Sequence, residues 1–326
     1  MPHNASTNAL RRRVGHDSSK FYNSRLYREL QSAPEVTTQN MAFPQQLLNQ
    51  IIHGTCERMQ ELPDNCLHLM ITSPPYNVSK EYDTDLSLKE YLDLLQRAFR
   101  EVYRVLVDGG RACINVCNLG RKPCIPIPHY VSKMMIDIGF KMRGEVVWDK
   151  KFSGRSSTSW GSWKSASNPT LRNTHESILI LSKGNYKRER TKEEKQGKKD
   201  TITGEQFSEW TGSIWTMKTE SARRIGHPAP FPVELPYRLV QLYSFTGDIV
   251  LDPFMGSGTT AIAALQSERK YVGYEINQEY IDLSIRRIRR AEKKLGTMPE
   301  LIGGTKTDVK NMPRKQLFDL MGHTEN

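Results

Sequence analysis

The stretch Ile249-Val250-Leu251-Asp252-Pro253-Phe254-Met255-Gly256-Ser257-Gly258-Thr259-Thr260 decides the fold. Its first three residues read as a buried strand that ends at an acid, and Pro253 stops it. A glycine turn follows, and Ala261 to Gln266 reads as a helix. Strand, glycine loop and helix in that order hold nucleotide-like ligands at the carboxyl edge of an α/β sheet. The turn is neither a P-loop, which needs Gly-Lys-Ser/Thr, nor a full G-x-G-x-x-G. Downstream, Tyr271-Val272-Gly273-Tyr274 forms a second strand ending at Glu275. A carboxylate there can accept hydrogen bonds from both hydroxyls of a ribose.

A second strand-to-loop junction lies far upstream. Leu67 to Ile71 is an apolar run that enters Thr72-Ser73-Pro74-Pro75-Tyr76. Two prolines stop any regular element because they lack backbone donors and fix φ. The loop is therefore rich in acceptors and poor in donors, which suits an –NH₂ group, and Tyr76 offers a face for a base to stack on. Acceptors on both hydrogens of a nucleobase amine would push charge onto its nitrogen and favour attack on an electrophile. A plain Pro-Pro turn with a packed tyrosine is the other reading of these five residues.

Between the two junctions, strands and helices alternate. Ile51 to Cys56 reads as a strand and turn, and Leu88, Tyr91, Leu92, Leu95, Phe99, Val102 and Leu106 mark a helix that Gly109-Gly110 ends. Arg111 to Val116 and Glu145 to Trp148 read as strands, with a helix over Tyr130 to Ile138 between them. Ser177 to Leu181 is strand-like, Pro232 to Leu242 helical, and Gln278 to about Leu295 a last helix whose Arg286-Arg287-Ile288-Arg289-Arg290 run reads as its solvated face. The alternation predicts an α/β, doubly wound sheet.

Lys and Arg number 47 against 36 acids, a net charge of +11, which is consistent with a polyanionic partner. Residues 150 to 172 are rich in Ser, Gly, Trp and basic side chains, with Arg155, Trp160, Trp163 and Lys164 among them. Residues 183 to 200 hold eight Lys or Arg against four acids and include Lys198-Lys199. Such runs are either solvated loops or a nucleic-acid reader, in which aromatics stack on bases and cations meet phosphates. No run approaches the roughly 18 apolar residues of a membrane span, and no apolar region follows the N-terminal arginines, so a cytoplasmic protein is expected. The five cysteines read as reduced thiols, and no metal is expected at Cys113 and Cys117. Pro123-Cys124 is the pair that cytosine-C5 methyltransferases use, but it lacks their surrounding sequence and reads as a loop cysteine.

The Ser-Pro-Pro-Tyr loop first, the Asp252 to Thr259 loop last and a basic region between them resemble the amino-group (N4-cytosine/N6-adenine) DNA methyltransferases of the β order. The resemblance spans roughly residues 50 to 292. It implies a Rossmann-like S-adenosylmethionine-dependent methyltransferase fold. That fold has a mostly parallel seven-stranded sheet, one antiparallel edge strand and an inserted target-recognition region. It implies S-adenosyl-L-methionine as cofactor and double-stranded DNA as partner, and it leaves open a separate restriction endonuclease and a monomer or homodimer. Ser73, Pro74, Pro75 and Tyr76 would hold the flipped base. Asp252, Pro253, Phe254, Gly256, Ser257, Gly258 and Thr259 would line the cofactor, Glu275 would bind its ribose with Asn277 beside it, and His227-Pro228 would close over its methionine part. Many relatives carry Gly-Asp before the catalytic strand; here Gly54-Thr55-Cys56 stands at that adenine position.

The expected layout is a basic extension over 1–45, a catalytic half over 46–149 and a target-recognition region over 150–225 with a core strand near 177–181. A cofactor half over 226–295 and a tail over 296–326 complete it. In this family Ser-Pro-Pro-Tyr goes with cytosine N4, so the expected enzyme is a site-specific cytosine-N4 DNA methyltransferase. N6-adenine methylation is the alternative. From other classes, a nucleotide-cofactor enzyme and a DNA-binding module without catalysis remain.

Overall fold

The computed structural model describes residues 22–27, 39–76, 86–150 and 161–301, with backbone alone for 297–301. Arg155, Trp160, most of the 1–45 extension and the tail beyond residue 301 lie outside them. In the N-terminal unit, residues 1–36, the Tyr22 and Tyr27 rings meet edge to face at 5.2 Å. The unit of residues 37–326 carries the sheet.

Eight strands make that sheet: β1 (Gln50–His53), β2 (Leu67–Thr72), β3 (Leu106–Val116), β4 (Lys141–Asp149), β5 (His175–Ser182), β6 (Ile214–Thr216), β7 (Ile249–Asp252) and β8 (Lys270–Glu275). They lie in the order β1-β8-β7-β2-β3-β5-β4-β6, and every pairing is parallel except those of β5. Strands β2 and β7 are apolar almost throughout because helices cover both faces. On one face α1 (Leu88–Val105) and α2 (Ile127–Ile138) bury Leu95, Phe99, Val102, Val131 and Met135. On the other α6 (Glu234–Tyr243), α7 (Thr259–Gln266) and α8 (Gln278–Leu301) contribute Leu235, Leu239, Ala261 and Ile288. The short helices α3 (Lys192–Gly197), α4 (Gly204–Trp210) and α5 (Ala222–Ile225) lie between β5 and α6 in the chain.

Three expectations are corrected. The sheet has eight strands, because Ile214-Trp215-Thr216, too short to show a period, pairs with β4. Trp215 secures it: its indole donates to the Trp210 carbonyl at 3.1 Å, and the Arg238 guanidinium lies 5.4 Å from both indole rings. The antiparallel strand is interior, between β3 and β4, not at an edge. Gly109-Gly110 does not end α1, which a Ser87–Glu90 capping box opens and Val105 closes. The two glycines sit inside β3 at a register shift; Gly109 has φ +73°, and a Cβ on it would lie 2.6 Å from the Arg188 Cα.

Candidate active site

The carboxyl ends of β1, β8, β7 and β2 are neighbours, and their loops surround one cavity of about 580 Å³. Ser73, Pro74, Pro75 and Tyr76 line it from β2, and Pro253, Phe254 and Gly256 from β7. Glu275 and Asn277 line it from β8, Thr55 and Cys56 from β1, and His227 from the segment before α6. Two loops almost 180 residues apart in sequence thus face each other, because their strands are adjacent.

The Gly256 loop is braced from both sides. Glu275 Oε2 accepts from the Gly256 amide at 2.8 Å, and Oε1 accepts from the Asn277 amide at 2.9 Å. With the Ile276 amide also donating to it, the carboxylate still has lone-pair capacity left for a ligand. Burial raises the Glu275 carboxyl above its ordinary range, against the backbone donors that pull it down. Gly256 has φ +50°, and any Cβ would come within 2.9 Å of the His227 ring. His227 itself meets Tyr280 edge to face at 4.8 Å. Beneath the loop, Asp252 is buried; Thr72 donates to its Oδ1 at 2.7 Å and the Phe254 amide at 3.1 Å. Burial pushes this carboxyl up to about 7, and these donors, with the Thr260 hydroxyl, offset only part of the effect.

On the facing loop, the Ser73 and Tyr76 hydroxyls lie 3.2 Å apart, and Tyr76 donates to Glu176 Oε2 at 3.2 Å. Burial, then the Glu176 charge, raises the Tyr76 phenol well above its ordinary value, so it keeps its proton.

A family model described as DNA methylase, of the N6/N4 type, matches residues 67–286, more than half of the chain and both sides of the cavity. This chain belongs to the N6/N4 DNA methylase family. Type II methyltransferase M.MjaI of Methanocaldococcus jannaschii is 31% identical over 288 residues, covering 76% of this chain and 93% of that protein. M.MthZI of Methanothermobacter thermautotrophicus is 31% identical over 266 residues, 72% of this chain and 75% of its own length. Among solved structures, a DNA modification methylase of Thermus thermophilus, TTHA0409, complexed with S-adenosyl-L-methionine, matches with a TM-score of 0.58 and 30% identity, over 73% of this chain and 92% of that one. The cytosine-N4-specific PvuII DNA methyltransferase shares the fold at 17% identity and a TM-score of 0.57.

Other expected site residues of this methylase divide by location. Asp252, Pro228, Ser257, Gly258 and Thr259 do not line the cavity; Asp252 braces the loop through the Phe254 amide. Gly258 caps α7 with φ +76°, a Cβ there lying 2.8 Å from Ser284. Arg287, expected on a solvated face, instead donates to the Ser257 carbonyl and the Thr259 hydroxyl and clamps the loop from α8. Trp163 is exposed, with the Lys164 ammonium 5.8 Å from its ring, in the connection between the carboxyl end of β4 and the amino end of β5. The two ends of that connection, Asp149 and His175, pair at the same sheet edge as the cavity.

Lys198 and Lys199, expected to meet DNA, lie away from the cavity. Lys198 Nζ lies 2.9 Å from Asp248 Oδ1, 2.7 Å from Glu194 Oε1 and 3.3 Å from His68 Nε2. Asp248 precedes β7 and His68 stands at the start of β2, so this cluster is at the amino edge of the sheet, opposite the cavity. Lys199 is tied there too, its amide donating to Thr246 Oγ1 at 2.9 Å. His68, Glu194 and Asp248 have the atoms of a metal site, but the Lys198 ammonium already holds its centre. Within the expected target region, α4 and β6 each turn one indole, Trp210 and Trp215, into the core. Among the described residues no helix is long and apolar enough to cross a membrane.

Proposed function

We propose that this methylase transfers the methyl group of S-adenosyl-L-methionine to the exocyclic N4 amine of cytosine in duplex DNA. The observation that carries the reading is one cavity lined by both the Ser73 to Tyr76 loop and the Gly256 loop with Glu275. An amine held by the first therefore lies against a nucleoside-bearing ligand held by the second. The residues present fit that cofactor. Glu275 has lone pairs to offer a ribose, Gly256 leaves no room for a side chain, and the largely exposed Ile276 supplies an apolar face at the cavity wall.

When bound, the cofactor supplies a methyl group on a positively charged sulfur, an electrophile. The chain's part is to orient and to polarise. The target base leaves the stack, at a cost of a few kcal/mol, and Tyr76 receives its face. Ser73 and the donor-poor prolyl backbone accept from the amine and raise the electron density on nitrogen. The nitrogen–methyl bond would form as the sulfur–methyl bond breaks, in line and without a covalent enzyme intermediate, so the exposed Cys124 has no role in it. The surplus amine proton would pass to solvent.

Duplex DNA approaches the carboxyl edge, where Trp163 and Lys164 stand and where exposed Lys122, Lys218 and Arg223 follow the ends of β3 and β6. The type II designation of the relatives supports a restriction endonuclease that acts separately on the same sites. Reaction on duplex DNA, digestion to nucleosides and mass analysis should give N4-methylcytosine. N6-methyladenine alone would move the assignment to adenine, and C5-methylcytosine would implicate Cys124.

A further inference from the structure

Glu176 lies 100 residues from Tyr76 in sequence, yet its carboxylate accepts the Tyr76 hydroxyl. The reversed direction of β5 places it there. Because β5 alone runs antiparallel, its amino end lies with the carboxyl ends of the other strands, and Glu176, its second residue, pairs with Trp148 of β4. Three donors converge on this carboxylate: Tyr76 and the Asn115 amide on Oε2, and the Lys150 ammonium on Oε1 at 2.5 Å. The Glu176 side chain is only 11% exposed.

The chemistry of these groups fixes a direction. An ionised carboxylate only accepts, so Tyr76 must give it its proton. The Tyr76 oxygen then has lone pairs but no proton for Ser73, and at their 3.2 Å contact Ser73 becomes the donor. With its single proton committed to Tyr76, Ser73 meets the cavity with lone pairs alone. We infer that Glu176 is a positioning residue that, through Tyr76, makes Ser73 an acceptor toward the target amine. Nearby, the buried Asn115 Oδ1 meets no donor among the described residues, which adds an unused acceptor at this end of the sheet. A pocket of that polarity selects an –NH₂ over a carbonyl at the same ring position. The inference rests on the amino-methyltransferase reading above and holds for cytosine or adenine.

The test is a double-mutant cycle of wild type, Glu176→Gln, Tyr76→Phe and the double variant, on unmodified viral DNA long enough to hold every short recognition site. A glutamine amide can donate to Tyr76, which frees the tyrosine proton to point at Ser73. Each single variant should lose about tenfold or more in kcat, with little change in KM for DNA. The double variant should be no slower than the slower single one. Calorimetry should give an S-adenosylmethionine Kd that stays with wild type throughout. Rates that multiply in the double variant, or a Glu176→Gln enzyme with wild-type kcat, would overturn the inference. If Glu176→Gln fails to fold, Glu176→Asp keeps the charge beside Lys150 and Asn115 but withdraws it from Tyr76. That variant should be slow, and a fast one would reduce Glu176 to a partner of Lys150. A wild type that makes only N6-methyladenine would sink the cytosine assignment and leave this cycle standing.

Discussion

Strand β7 carries a buried aspartate at each end, and the two live in opposite electrostatic worlds. Asp248, before the strand, accepts from Arg188 at 2.6 Å, Lys198 at 2.9 Å and the Phe245 amide at 2.8 Å. Burial would raise its carboxyl, but His68, Arg188 and Lys198 facing it hold it down at about 2. Burial drives His68 itself down to about 4, so at neutral pH the two permanent cations carry the pairing. Asp252, which ends the strand, meets the Thr72 and Thr260 hydroxyls and the Phe254 amide, and burial pushes it up to about 7. One edge of the sheet has closed its charges on each other; the other holds its acid without a cation, beside an open cavity. Basic residues in the sequence do not say which edge they serve, and it is the edge that separates a clamp from a contact.

Breaking the closed edge should have the largest effect. Asp248→Ala leaves the Arg188 guanidinium, 9% exposed, and the Lys198 ammonium without their shared acceptor. Removing one partner of a buried ion cluster costs about 3–5 kcal/mol. Denaturant unfolding should show that loss with an unchanged slope. A loss under about 1 kcal/mol, the value of an exposed pair, would mean that the cluster is solvated.

At the open edge the comparison sharpens through Glu275. Its replacement by Ala takes two acceptors from a ribose, each worth roughly 1–2 kcal/mol when one partner is charged, and also unbraces the Gly256 amide. Calorimetry should show S-adenosylmethionine affinity falling at least tenfold with little change in denaturation midpoint. Unchanged affinity would remove Glu275 from the ligand set.

What could be read from the sequence was what lies close together in the chain. Ser73 to Tyr76 and Asp252 to Thr259 each combine a strand end, a breaker and candidate site residues within a few positions, and residues of both loops line the cavity. Long-range partners left no local signal. Glu176 sits in a run whose apolar pattern reads the same in either direction, so nothing marked β5 as antiparallel or its amino end as part of the site. Arg287 belongs to an arginine run of which that one side chain turns inward to Ser257 and Thr259. The pair Lys198-Lys199 looked like a phosphate contact because its acids, Asp248 and Glu194, come from separate segments. Gly109-Gly110 looked like a helix stop because the close approach of Arg188 cannot be seen in one dimension.

Surface charges at the two edges carry the same contrast to the proposed approach of DNA. Lys199→Gln, at the amino edge, should leave the slope of log affinity against log salt where it was. Replacing Lys122, Lys218 and Arg223 together by Gln, at the carboxyl edge, should lower that slope by up to about 3, close to one per phosphate contact. Cofactor affinity should not move in either case. The reverse pattern would place the duplex on the wrong edge.

The smallest expected effect is a pH dependence, and Asp252 sets its sign. A carboxyl at 3.8 in the unfolded chain and about 7 in the folded one contributes stability that is present below the lower value and lost as pH rises through the higher one. Without cofactor, the fold should therefore weaken between about pH 4 and pH 7 through this group, and Asp252→Asn should remove that part of the slope. A cationic ligand in the adjoining cavity favours the ionised acid, so the trend reverses for binding: S-adenosylmethionine should bind a few-fold more tightly as pH rises through about 7. Calorimetry in two buffers of different ionisation enthalpy would count the proton released on binding near neutrality. A wild-type affinity that is flat with pH and releases no proton would mean that Asp252 is neutralised by its own neighbours, as Asp248 is, and that the two ends of β7 differ less than their surroundings suggest.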